Sequence, residues 1–285
     1  MNKELPQFIS HIVLSLQSIE GITAIALGGS RARGNHTNKS DVDLGIYYNP
    51  ENPPDLIALN RLACELDDNH RVNLITAIGE WGKWINGGGW LQFQGVGVDF
   101  LYRDLVKVNR VIDDCHAGQI TIDYQPGHPH GFVSSIYMGE IAFCQVLYDP
   151  DSVLEALKVK TKPYPVGLKQ ATIDTFAWEI SFSLLVAKKA IARDDVVYAA
   201  GCCFRSVACM NQVLFALNED YLLNEKGAIA LANKFAICPQ DYQQQVERAF
   251  ALLAADAKSI TEAIAIIEAI EDDLSQWYGN RRLVM

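Results

Sequence analysis

Apolar and polar positions follow two regimes along this 285-residue chain. Up to about residue 160, short apolar runs that alternate with a period of two are mixed with segments of helical spacing. Beyond Pro165, apolar side chains recur every three or four positions and strand patterns become scarce. Residues 5–19 carry the first helical pattern, with Pro6 in the opening turn and Gly21 as the stop. A short strand is predicted over 22–27, a short helix over 30–34, a polar loop over 35–39 and a second strand over 41–48, closed by Asn49-Pro50. Asp55 is placed to cap a helix over 55–66. Strands are expected at 72–78, 91–94 and 96–102, with the glycine run 87–89 as a mobile turn. A helix at 104–115, a strand at 119–124, a turn at 125–131 and a helix at 133–144 complete this half. Helices are then predicted over 168–193, 195–217, 226–235, 239–252 and 256–278. A mixed half followed by a helical half implies an α+β protein with two domains. Residues 1–160 would form a mixed β-sheet flanked by helices. Residues 161–285 would form an all-helical bundle, joined through Thr161-Lys-Pro-Tyr-Pro165.

Composition narrows the picture. Hydrophobic residues make up 49% of the chain, enough for a sizeable core. The net charge is −10, and acids outnumber bases in both halves. A broad basic footprint for nucleic acid is therefore missing, and nucleic acid is not the expected partner. The opening Met1-Asn-Lys-Glu-Leu-Pro does not read as a signal peptide, and no apolar run reads as a membrane span. None of the seven cysteines sits in a Cys-x-x-Cys pair. Reduced thiols in a cytoplasmic protein are the expectation. Cys202, Cys203 and Cys209 lie in an apolar helical stretch and read as core. Adjacent Cys202 and Cys203 would point to different sides of that helix.

The candidate chemistry concentrates in Leu27-Gly-Gly-Ser-Arg-Ala-Arg-Gly34 and Ser40-Asp-Val-Asp-Leu-Gly-Ile46. A strand ends in a glycine turn, and a second strand carries two carboxylates. Alternation puts Asp41 and Asp43 on one face and Val42 and Leu44 on the other. Paired carboxylates repel unless a cation lies between them, and Mg²⁺ with its oxygen ligands suits the pair. Gly28 and Gly29 let backbone approach a bulky anion, and Ser30 adds a hydroxyl and an amide at a helix start. A phosphate cradle beside a metal-binding pair points to a nucleoside triphosphate. Asp99 stands in the apolar strand Val96-Gly-Val-Asp-Phe-Leu-Tyr102, where a charge has no packing role. It is either a third acid of the site or a carboxylate at an exposed edge or paired with Arg103. Asp104, just beyond, reads as a helix cap. Arg31 and Arg33 face either the phosphates or solvent, and Arg33 is kept as a phosphate-side candidate with Gly29 and Ser30. Lys83 lies near the glycine run. His128 and His130 read as a turn and as acceptor contacts rather than as a metal site, and Glu140 is an alternative base.

These residues resemble the signature of the polymerase-β-like nucleotidyltransferase superfamily, most closely its minimal and antibiotic-modifying branches. The motif covers residues 25–48. The resemblance implies a third acidic residue on a neighbouring strand, which Asp99 matches by context. It implies two Mg²⁺ ions held by Asp41, Asp43 and Asp99, with ATP as the donor. It implies transfer of a nucleoside monophosphate to a hydroxyl, with release of pyrophosphate. The acceptor would be a small polar molecule, as in aminoglycoside and lincosamide modifiers, bound in a cleft between the two domains. Trp81, Trp84, Trp90, Tyr124, His128 and His130 are its candidate contacts. The alternatives are nucleotidylation of a protein or RNA partner, as in antitoxin-like members, and a non-catalytic nucleotide-binding regulatory module. Members often draw a basic group for the triphosphate from the helical domain, where Lys188 and Lys189 lie without a definite match.

Overall fold

The structure is a computed structural model that describes residues 7–34, 37 and 40–279. Pro6 and the predicted start of the first helix, with most of the predicted 35–39 loop, lie outside the described residues. In chain order the strands are β1 (Ala24–Leu27), β2 (Val42–Tyr48), β3 (Gly88–Phe93), β4 (Val96–Asp104), β5 (Ile122–Asp123), β6 (Phe132–Val133) and β7 (Gln145–Tyr148). The first helices are α1 (Gln7–Leu16), α2 (Gly29–Arg33), α3 (Leu56–Leu66), α4 (Leu105–His116), α5 (Ile136–Phe143) and α6 (Val153–Lys160). They are followed by α7 (Val166–Ala187), α8 (Val196–Leu217), α9 (Ala228–Ala232), α10 (Tyr242–Leu252) and α11 (Ala257–Tyr278). The chain divides into two compact units, one of residues 1–114 and 137–163, the other of residues 115–136 and 164–285.

The first unit is a five-stranded sheet in the order β3-β4-β2-β1-β7. β2 and β4 run parallel, and the other pairs are antiparallel. The alternation in β2 decides which face is buried: Val42, Leu44 and Ile46 are fully buried, while Asp43 and Gly45 between them are not. That apolar face joins Val98, Phe100 and Tyr102 of β4 in one core with Ile9, Ile12 and Leu16 of α1 and Leu59 and Ala63 of α3. Each such burial stabilises by about 1.5–3 kcal/mol, which fixes the register of both strands. Asp55 caps α3 by accepting from the amides of Ile57 and Ala58. Asp104 accepts from Lys107 N at 3.0 Å, as a cap of α4.

Two local expectations are corrected. Residues 72–78 form no strand; Ile75 makes a single bridge to Gly89, and its amide donates to Asn60 Oδ1 instead of a ladder. His70 and Asn73 at positive φ bend the segment away from extension. The glycine run is not a mobile turn. Gly88 and Gly89 are buried within β3, and a Cβ on Gly88 would fall 1.7 Å from Phe100 O. The glycines allow close backbone packing here. β7 and α6, between residues 145 and 160, had no sequence expectation.

The second unit pairs the β5–β6 hairpin with α7 to α11. Its core holds Phe176, Ile180 and Leu184 of α7, Cys203, Val207, Met210 and Leu214 of α8, Ile264 and Ile267 of α11, and Val133 of the hairpin. The expectation that no run could span a membrane is corrected for α8, which is long and apolar enough by composition. Every residue from Ser206 to Leu217 is nevertheless buried within the unit. Ser206 donates to Ile180 O, and Asn211 accepts from Tyr242 OH, so α8 is a core helix with its polar groups satisfied.

Candidate active site

The parallel register of β2 and β4 sets Asp43 directly beside Asp99. Asp41 precedes β2 on the same side, next to Gly97. A Cβ on Gly97 would lie 2.3 Å from Asp41 Oδ1, so that carboxylate occupies space the glycine leaves open. The turn after β1 fits Asp43 in the same way. Gly28 N donates to Asp43 O at 2.8 Å. Gly29 adopts φ +60°, and a Cβ there would lie 1.8 Å from Asp43 Oδ2. Gly29 is thus required twice, for its left-handed backbone and for the carboxylate packed on it. The glycine turn and the acidic strand form one constructed unit.

Burial and neighbouring carboxylates raise the proton affinity of Asp43 and Asp99. Burial, then Asp41 and Glu140, push Asp43 above the usual carboxylate range, against a smaller opposing pull from Arg103 and Arg31. Asp99 is pushed up to about 7 by burial, then by Asp43 and Asp41. Asp41, Asp43 and Asp99 all offer oxygen, the ligand type a hard divalent cation takes, and could hold one together.

The neighbouring cations are engaged elsewhere. Arg103 is buried and grips Glu140 in a two-pronged pair, Nε to Oε2 at 2.7 Å and Nη2 to Oε1 at 2.6 Å. It therefore does not neutralise Asp99, and Glu140 is committed to Arg103. Arg31 donates from Nε to Asp41 O at 2.9 Å and from Nη2 to Ser40 O at 2.6 Å, tying the turn to the entry of β2. Arg33 lies over the Phe143 ring, 4.3 Å from its centroid. Ser30 is half-buried in α2 beside Gly29.

The aromatic candidates separate. Trp90 pairs directly with Asp99 across β3 and β4, which puts both on one face. It is largely exposed and stacks on Trp81 with centroids 4.4 Å apart. Trp84 is buried edge-on against Tyr137 and is core. Tyr124, His128 and His130 belong to the hairpin loop of the second unit. Lys188 pairs with Glu268 in that unit. Lys83 is exposed, and its carbonyl accepts from Lys107 Nζ. Sequence reasoning missed the roles of Gly97 and Arg103. Gly97 carries a usable signal, a glycine two residues before an acid in an apolar strand. The Arg103–Glu140 pair spans 37 positions and carries none.

Comparisons with known proteins show what parts of the chain are similar to. Residues 9–85 match the family model described as nucleotidyltransferase domain. Residues 135–226 match a second model, described as a domain of unknown function (DUF4037). A solved structure similar to the chain is that of a nucleotidyltransferase-like protein from Exiguobacterium sibiricum 255-15, determined at 1.90 Å resolution. It is 9% identical with a TM-score of 0.43, and the match covers 93% of this chain and 74% of that one. No curated protein matches the chain. Over residues 9–85, the stretch that contains the glycine turn, Asp41 and Asp43, the chain is thus similar to nucleotidyltransferase domains.

Proposed function

We propose that the chain transfers a nucleoside monophosphate from a nucleoside triphosphate, ATP by the resemblance of its motif, to a hydroxyl of a small polar acceptor. The observation that carries this reading is the face formed by Asp41, Asp43 and Asp99 beside the Gly28-Gly29-Ser30 turn. Divalent metal, Mg²⁺ in the cell, would screen the phosphates and polarise the α-phosphorus. Asp41, just before β2, and Asp43 within it would hold the metal. Gly29 and Ser30 take the outer phosphates, with Arg33 as a further phosphate contact. Asp99, beside Asp43 on the parallel neighbouring strand, accepts the proton of the acceptor hydroxyl. The acceptor oxygen forms its bond to the α-phosphorus as the bond from that phosphorus to the bridging oxygen breaks, and pyrophosphate leaves. The Trp81–Trp90 stack offers the same face a flat apolar surface for a ring.

A small acceptor is favoured over nucleic acid by the net charge of −10, which gives a phosphate backbone no source of affinity. All seven cysteines are unpaired, which supports a reducing, cytoplasmic setting. The test is pyrophosphate release with Mg²⁺ and each triphosphate, followed by transfer of labelled nucleotide to pooled RNA, whole-cell protein and small-molecule extracts. Label in the small-molecule fraction is expected. Salt-sensitive labelling of RNA alone would overturn the acceptor assignment.

A further inference from the structure

The second unit contains a cluster that nucleotidyl transfer does not use. His130 from the β5–β6 loop, Glu179 from α7 and Cys209 from α8 bring a nitrogen, a carboxylate oxygen and a sulfur within 4.8 Å of one another. Cys209 is fully buried, and His130 is 8% exposed. We propose that these three side chains form a binding site for a zinc-class divalent cation, separate from the acidic face of the first unit.

The geometry supports the assignment. Zinc bonds to nitrogen of about 2.1 Å and to sulfur of about 2.3 Å, at a tetrahedral angle, hold the two ligand atoms about 3.6 Å apart. His130 Nε2 and Cys209 Sγ stand 3.6 Å apart. The mixed nitrogen, sulfur and oxygen set selects a borderline cation over Mg²⁺, which takes oxygen alone. Three protein ligands leave one tetrahedral position. His130 also lines a cavity of about 620 Å³ with the 122–131 loop and Arg205, a path for the ion and a fourth ligand.

The surroundings brace the ligands as outer partners of metal sites do. His130 N donates to Glu225 Oε1 at 2.8 Å, which fixes the loop. Arg205 donates from Nε to Glu179 Oε1, which orients that carboxylate. Before the ion enters, burial keeps the Cys209 thiol protonated, and Arg205 balances Glu179. On entry the thiol proton leaves to solvent as the sulfur–metal bond forms. The bound ion then carries thiolate, carboxylate and neutral imidazole.

The experiment is Co²⁺ titration of the metal-free, full-length protein, read by absorbance. Co²⁺ bound to a thiolate shows an intense near-ultraviolet charge-transfer band that carboxylate sites lack, so the acidic face does not contribute. We expect the band to saturate at a single Co²⁺ per chain, to be displaced by Zn²⁺ and to vanish in folded Cys209→Ser. Absence of the band from the folded wild type, or its persistence in folded Cys209→Ser, would overturn the site. Should the serine variant not fold, X-ray absorption of the zinc-loaded wild type decides. One sulfur at about 2.3 Å with lighter ligands at about 2.0–2.1 Å supports the site, and no sulfur overturns it.

Discussion

The acidic face of the first unit and the His130–Glu179–Cys209 cluster of the second each gather three ligand-type side chains, but by opposite means. Asp41, Asp43 and Asp99 are set by backbone, through one parallel register and two glycines that make room for carboxylates. Their charges are left in conflict. The helical cluster is set by side-chain packing among a loop and two helices, and its one ionised acid is paired with Arg205. The first arrangement stores electrostatic cost that a cation relieves. The second is neutral at rest and must give up a proton to take one. A site held by backbone leaves a local trace in sequence; a site held by packing leaves almost none.

The largest expected effect lies on the acidic face. Asp41→Asn and Asp43→Asn should each lower Mg²⁺-dependent pyrophosphate release by about 10³-fold without lowering the melting temperature, since each removes a repelled charge. Near-normal turnover in either variant would mean the face does not hold the metal. Next come the ion pairs behind each constellation. Glu140→Gln leaves buried Arg103 without its partner and should cost about 3 kcal/mol in denaturant unfolding. Arg205→Gln breaks a half-exposed pair and should cost about 1 kcal/mol or less. Equal losses would erase the contrast between a buried and a surface support.

Gly29→Ala should follow, with a stability loss of about 1–3 kcal/mol from the positive φ and the overlap with Asp43. Its turnover should fall further than that of Gly34→Ala, where a Cβ meets open space at a similar positive φ. The last effect is on the pH dependence of stability. The Asp99 carboxyl ionises at about 3.8 when unfolded and at about 7 when folded. Stability from the neutral form is full below 3.8 and lost as pH rises through about 7. Without divalent metal, Asp99→Asn should therefore melt above wild type at pH values beyond about 7, by about 1–2 kcal/mol after solvent screening, and the gap should close near pH 4. A gap of constant size across that range would detach Asp99 from the effect.

Legibility in the sequence follows the same divide. Asp41 and Asp43 are two residues apart in one strand, so alternation alone puts them on one face. Asp99 stands out because a charge interrupts an apolar run. The helices of the second unit were legible because their apolar spacing persists over many turns. The 72–78 segment misled because an apolar run says nothing of the Asn60 side chain that takes its amide. The glycine run misled because the backbone it packs against, at Phe100, is distant in sequence. His130 and Cys209 are 79 positions apart, and each alone reads as a turn or a core residue.

The division of the chain bears on how the protein is made. Residues 115–136 belong to the second unit, although residues 137–163 of the first follow them. On the ribosome the β5–β6 hairpin therefore emerges before α7 to α11, whose core receives Val133. The first unit in turn lacks β7, its edge strand, until that intervening piece has been synthesised. Neither unit is one uninterrupted length of chain, so no single cut frees either one whole. A gene fragment ending at residue 163 would encode the complete sheet together with a hairpin whose partner helices never arrive, an apolar segment poised for aggregation.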